Sequence, residues 1–239
     1  VSVEGAAIEF GTSAFFIALL QIVWIDLLLS GDNSIVIALA CRNLPPHQRR
    51  LGIFWGVSAA IILRVVLTAF AVSLLSIPML KLVGGLLLIY IGVKLVLPQH
   101  EEDEHNIEGK DKLFDAIKTI VIADFAMSLD NVIGVAGAAK GNFFLLIFGL
   151  ALSIPLVVWG SKIVLMLISR FPIVIMFGGA LLGYLAGEMI QTDPFLKEFW
   201  SQSVGLAGHE LAWVGVVLVL ALGKLLGRPK APPSPSEVN

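Results

Sequence analysis

Seven stretches of apolar sequence, roughly 14–41, 51–75, 77–97, 113–139, 142–169, 172–191 and 209–226, dominate this chain and leave it few folds to choose from. At a rise of 1.5 Å per residue, about 20 helical residues cross the hydrocarbon core of a bilayer, and each stretch is close to that length or above it. Backbone N–H and C=O groups find no water there, so the stretches must be helices that satisfy their own hydrogen bonds. Composition agrees: 57% of the 239 residues are hydrophobic and 14% are charged, against about 25% charged in a typical soluble domain. Mean hydropathy is +0.92. These values exclude a soluble globular domain. The expected fold class is all-α, a polytopic membrane protein with seven transmembrane helices.

The first dozen residues, VSVEGAAIEFGT, carry Glu4 and Glu9 and no basic residue, unlike the positive start of a cleavable signal peptide, so the first apolar stretch is read as a retained span. Pro78, Pro172 and Gly141 fall at tight connections, where a proline in the first helical turn or a helix-ending glycine is expected. Eleven Lys and Arg residues, among them Arg42, Arg49, Arg50, Lys112 and Arg228, fall on one side of the membrane, and Lys81, Lys140 and Lys197 on the other. The positive-inside rule then puts the N-terminus outside and the C-terminus in the cytoplasm. The expected organisation is a short extracytoplasmic N-terminus (1–13), three spans (14–97), an acidic cytoplasmic linker PQHEEDEHNIEGKDK (98–112), three more spans (113–191), an extracytoplasmic loop (192–208), a seventh span (209–226) and a disordered Pro/Ser-rich tail (227–239). Cys41 is the only cysteine, so no internal disulfide can form.

Against this apolar background, DLLLSGDN (26–33) returns as DFAMSLDN (124–131), the pattern D-x-x-x-S-x-D-N in the first and fourth spans. A second echo, VGGLLLIYIGVK (83–94) against FGGALLGYLAGE (177–188), keeps both glycines, two leucines and the tyrosine. The two pairs are offset by 98 and 94 residues, so the halves are nearly collinear. Each half holds three spans, an odd number, so the second half enters the membrane the other way up. The expectation is a 3+3 inverted repeat plus one extra helix, a plan of secondary transporters whose binding site lies near the midplane between the halves.

One carboxylate at that depth costs about 2.5–3.5 kcal/mol, so four of them must be paired, protonated, hydrated or ligated. At about 100° per residue, Asp26, Ser30 and Asn33 share a helical face while Asp32 lies about 120° away, and a straight helix cannot aim both aspartates at one point. Ser, Gly, Asp and Asn favour caps and turns, so a break near Gly31 is expected, freeing carbonyls and letting the aspartates converge. Leu129 holds the equivalent place in the second copy, where the case for a break is weaker. Four carboxylates, two amides and two hydroxyls form an all-oxygen set that suits Mg²⁺, Ca²⁺ or Mn²⁺. His47, His100, His105 and His209 lie in loops or at an interface and Cys41 at a helix end, which disfavours Zn²⁺, Cu⁺ and Ni²⁺ sites. Met127 is read as packing. Arg64, in the middle of span two, is expected to face the cluster or another acid, either compensating its charge or forming a structural ion pair. Lys94 and Glu188 occupy equivalent repeat positions near span ends and are read as interfacial. Gly84, Gly85, Gly178, Gly179, Gly183 and Gly187 are read as allowing close helix packing.

The paired motifs, the seven spans, the acidic linker and the repeated GG-x-L-L-x-Y segment resemble the TerC family of bacterial membrane proteins, within the wider LysE-like transporter group, over roughly residues 14–226. The resemblance implies a bacterial inner-membrane protein that exports Mn²⁺, in a family linked historically to tellurite resistance. Carried over residue by residue, it implies metal ligands Asp26, Asp32, Asn33, Asp124, Asp130 and Asn131, with Ser30 and Ser128 supporting them. It implies no prosthetic group, Mn²⁺ being the substrate ion. A negative midplane cluster repels an oxyanion such as tellurite, which favours the cation.

Three functions follow from these residues. The first is a divalent-cation exporter working by alternating access, with protons competing for the same carboxylates. The second is a metal-binding membrane scaffold or partner in metal or tellurium stress, without transport. The third is an intramembrane aspartyl protease, which needs one proton-sharing dyad and fits poorly with four aspartates, each pair followed by an amide. A hydrogen-bond network that only glues helices is the plain alternative; the repetition of one spacing in two oppositely directed spans argues for function. The expected partners are a divalent metal ion and the lipid bilayer, with no nucleic acid and no preference as to oligomeric state.

Overall fold

The computed structural model describes residues 12–227 apart from 30, 71–73, 75–76, 99–108, 140–141, 197–198 and 201–208. Most of the N-terminal segment, the acidic linker and the C-terminal tail, and part of the loop after span six, thus lie outside the described residues. The rest is helical: α1 (Ser13–Leu29), α2 (Gly31–Cys41), α3 (Pro46–Ala69), α4 (Leu80–Val96), α5 (Gly109–Ala139), α6 (Phe143–Arg170), α7 (Ile173–Gln191) and α8 (Glu210–Leu226). By length and composition α3, residues Phe144–Arg170 of α6, and α7 can each cross a membrane, and α1 with α2 forms a fourth candidate bent by 49°. Helices α4 and α8 have 17 residues each, at the short end of the spanning range of about 17–25.

The two copies of the repeated motif fold differently. The first apolar stretch is two helices, with α2 opening at Gly31 and Asp32 in its first turn. The second copy lies inside α5, which runs unbroken through Leu129. A buried leucine with good helix propensity supplies neither the flexibility nor the competing backbone hydrogen bonds that Ser-Gly-Asp-Asn offers.

Local chemistry sets the helix ends. Thr12 Oγ1 accepts the Phe15 N–H at 3.2 Å and Asn142 Oδ1 accepts the Leu145 N–H at 3.1 Å, capping α1 and α6. Pro46 begins α3, where its missing N–H costs nothing. Helix α4 is capped from the far end of the sequence: Asp193, fully buried, accepts the Leu82 N–H at 3.1 Å and the Phe195 N–H at 2.9 Å. At the other end of α4, Arg42 donates to the carbonyls of Leu95 at 2.6 Å and Leu97 at 3.1 Å.

Packing pairs α1 with α6, α3 with α5, α4 with α7 and α7 with α8. Two of these contacts mirror each other. A Cβ at Gly56 of α3 would stand 2.5 Å from Ile120 Cδ1 of α5, and one at Gly149 of α6 would stand 2.4 Å from Ile22 Cγ2 of α1. Ile22 and Ile120 each precede the first aspartate of their motif by four residues, so in each case a glycine on a helix of the other half seats the turn that leads into the motif. Helices α7 and α8 touch backbone to backbone: a Cβ at Gly187 would fall 2.0 Å from the Leu211 carbonyl oxygen, and one at Gly215 would fall 2.0 Å from that of Gly183. The apolar core between α2, α4, α5 and α7 is built from Leu39, Leu88, Leu182, Ala186 and Met189, with Met127 packed among them. Phe16, Leu20, Trp24, Ile62, Phe144, Trp159 and Trp213 face outward, as suits a surface bathed in lipid chains as apolar as themselves.

Candidate functional site

Three helices deliver charged side chains to one buried point, and α2 adds an amide across the break. Asp26 comes from the end of α1, Asn33 from the first turn of α2, Arg64 from α3, and Asp124 with Ser128 from successive turns of α5. All five are at most 6% exposed. Arg64 Nη1 donates to Asp26 Oδ1 and Nη2 donates to Asp124 Oδ1, so one guanidinium joins the first aspartates of the two motifs. Its Nε donates to Ser128 Oγ at 3.2 Å, and that hydroxyl donates to Asp124 Oδ2 at 3.1 Å. Asn33 Nδ2 donates to Asp124 Oδ1 at 3.1 Å. Arg64's own carbonyl accepts Thr68 Oγ1 at 2.7 Å, one turn on.

Arg64 satisfies the rule that buried charges must be paired and hydrogen-bonded. Two carboxylates against one guanidinium leave a formal charge of −1 among the three groups. One polar atom of this centre is left over: Asn33 Oδ1 is buried and finds no hydrogen-bond partner among the described residues. Its amide donates to a carboxylate through nitrogen while the oxygen, a lone-pair donor, stays open beside the centre.

Of the six residues implied as ligands, Asp26, Asn33 and Asp124 come together here. Asp32 is half-buried and accepts its neighbour Asn33's backbone N–H at 2.8 Å, a local bond at the start of α2. Asn131 is half-buried in α5. The side chain of Asp130 and all of Ser30 lie outside the described residues; on an unbroken helix position 130 falls about 120° around from Asp124. Among the described residues no group of three His, Cys, Asp or Glu side chains could hold a metal ion. The oxygens that could serve one are those of Asp26 and Asp124, Asn33 Oδ1 and Ser128 Oγ, all hard donors, with the guanidinium between the carboxylates.

The intramembrane arginine was legible as a partner for some acid; that it joins both motifs at once was not. Away from the centre, Lys94 Nζ lies 3.7 Å from Asp115 Oδ2, and Glu188 Oε1 lies 3.9 Å from His209 Nδ1, both pairs substantially exposed. His209 also stacks on Tyr184, with ring centroids 6.3 Å apart.

The fold and its centre define a multi-pass helical membrane protein whose duplicated acidic motif converges on a buried arginine. The chain belongs to the integral membrane protein TerC family, whose pattern it matches over residues 11–230. It is 46% identical over 188 residues to the uncharacterized membrane protein YjbE of Bacillus subtilis, covering 79% of this chain and 85% of that one. YkoY of the same bacterium is 26% identical over 209 residues, covering 84% of this chain and 59% of its own length. The inner membrane protein YgdQ of Escherichia coli is 24% identical over 173 residues, covering 66% of this chain and 73% of its own. No solved structure matches the chain.

Proposed function

We propose that this protein exports a divalent cation, Mn²⁺ foremost, by alternating access through the centre that Asp26, Asn33 and Asp124 form. The observation that carries this reading is the meeting of the two motif aspartates at one buried point, with the Asn33 carbonyl oxygen beside them unsatisfied among the described residues. Two carboxylates and an amide oxygen from helices of both halves are hard oxygen donors of the kind a dication binds. The mirrored Gly56–Ile120 and Gly149–Ile22 contacts support the 3+3 inverted repeat on which such transport rests. Asp32, Asp130 and Asn131 complete the ligand set in this reading, and the outward direction is the one the family resemblance implies. The remaining preference for Mn²⁺ over other hard dications is what the family resemblance implies.

An aspartyl dyad works by sharing one proton between its carboxylates; here a guanidinium stands between them, which weighs against proteolysis. The test is transport of Mn²⁺ by the full chain in proteoliposomes, with Mg²⁺ and Ca²⁺ as competitors. Wild-type flux is expected, with loss of at least about tenfold in Asp26→Asn and Asp124→Asn. Absence of wild-type flux, or flux that both variants retain, overturns the transport reading and leaves the scaffold.

A further inference from the structure

We infer that Arg64 is a tethered counter-cation that trades places with the transported dication: the guanidinium holds Asp26 and Asp124 together when cargo is absent and leaves them when cargo binds. This rests on the transport reading above and specifies how the same site is emptied.

Arg64 is 3% exposed and reaches the centre from α3, a helix that carries neither motif. It stays protonated under all ordinary conditions. Its two terminal nitrogens are divided between the two carboxylates and its Nε engages Ser128, the hydroxyl that also serves Asp124. The guanidinium therefore uses the oxygens a bridging dication would use. A dication between the same carboxylates, with the guanidinium still in place, would put two cations in contact in a dry interior. One must yield. Arginine's side chain is long enough to withdraw while α3 stays packed on α5, and Asn33 Oδ1, which no donor among the described residues satisfies, is the group that gains a partner when a metal arrives.

The consequence concerns the return step. A carrier with two unpaired carboxylates cannot cheaply reorient through a bilayer, because uncompensated buried charge is strongly unfavourable. Arg64 supplies the compensation from within the chain, so the empty carrier resets neutralised by its own side chain. Arg64 also lowers the apparent affinity for cargo, since the binding-competent form is only the fraction in which the guanidinium has withdrawn.

The experiment uses the full chain with Mn²⁺ as probe and measures equilibrium Mn²⁺ binding in detergent, net Mn²⁺ efflux from proteoliposomes, and exchange of labelled for unlabelled Mn²⁺ across the same membranes. For Arg64→Gln we expect binding tighter by about tenfold or more, net efflux reduced at least about tenfold, and metal-for-metal exchange persisting, because exchange never requires the empty carrier to reset. Arg64→Lys keeps the charge but cannot span two carboxylates; it should bind Mn²⁺ about threefold tighter than wild type and, if Arg64→Gln fails to fold, it decides the question by that measurement. Binding unchanged or weakened in the folded variant, or net efflux and exchange falling together, overturns the inference and makes Arg64 a structural tie. A wild-type chain that neither binds nor moves Mn²⁺ removes the transport reading itself, a result distinct from either.

Discussion

Replacing Gly187 by alanine should separate α7 from α8, and the size of the effect follows from the contact. The added Cβ would lie 2.0 Å from the Leu211 carbonyl oxygen, 2.5 Å from its carbon and 2.6 Å from Ala212 Cα. Comfortable contact is about 3.5–4 Å, so the helices must part by roughly 1.5 Å at this level. The opposing atoms are backbone and cannot rotate aside, so α8 has to move as a body and the Gly183–Gly215 contact, as tight as this one, opens with it. Overpacking of this kind costs about 1–3 kcal/mol, and with two adjacent contacts disturbed the upper end applies. The better helix propensity of alanine returns about 0.8–1.0 kcal/mol, which leaves a net loss of about 2 kcal/mol. Gly31→Ala is the matched control: among the described residues nothing beyond its chain neighbours and its own helix backbone stands within 4 Å of its added Cβ, and only a small propensity gain remains. Thermal unfolding of the full chain in nanodiscs, followed by tryptophan fluorescence, measures both. At about 2–4 °C per kcal/mol for a chain of this size, Gly187→Ala should melt about 4–8 °C below wild type and Gly31→Ala at or slightly above it. Equal melting of the two variants would refute the claim that backbone proximity fixes α8.

Other expectations are more local. Asp193→Ala leaves the Leu82 and Phe195 N–H groups without their acceptor and should cost about 1–3 kcal/mol, with Asp193→Asn milder; the same melting experiment shows it, and no shift in either would mean the cap is idle. Leu129→Gly removes a buried side chain at about 2–5 kcal/mol and adds about 1 kcal/mol of glycine penalty; the variant should therefore melt lower than Gly187→Ala rather than adopt the first motif's break at little cost. Cys41 is fully buried, so maleimide should label it slowly in native membranes and fully in denaturing detergent; rapid native labelling would contradict the packing of α2 on α3.

The all-helical membrane fold was legible from the long apolar runs, of which α3, most of α6, α7 and the bent α1–α2 pair are long and apolar enough to cross a bilayer, and the need of the motif aspartates for a partner was legible from the cost of an unpaired carboxylate in such a run. The break at Gly31 followed from Ser-Gly-Asp-Asn, while Leu129 only weakened the case for a second break, and α5 runs unbroken through it. Helix starts were less legible. Helix α3 begins at Pro46 and α5 at Gly109, earlier than the apolar runs, because polar residues extend a helix out of the membrane without changing its hydrophobic pattern. Asp193 could not be read at all: a cap 111 residues away from the N–H it serves leaves no mark in local sequence. Arg64 was visible as an anomaly, but its two partners depend on how α3 packs between α1 and α5, which no periodicity encodes.

One consequence of the split first motif concerns Asp124. Through Arg64 this carboxylate is bound to α1, and through Asn33 it is bound to α2, while its own helix is a single rigid rod. It acts as a clasp across a joint. Any change in the 49° angle between α1 and α2 alters the distance from Asp26 to Asn33, and Asp124 can follow only one of them. The shape of the first span and the ionic bonding of the centre are thus one degree of freedom, with the clasp on the half that does not bend.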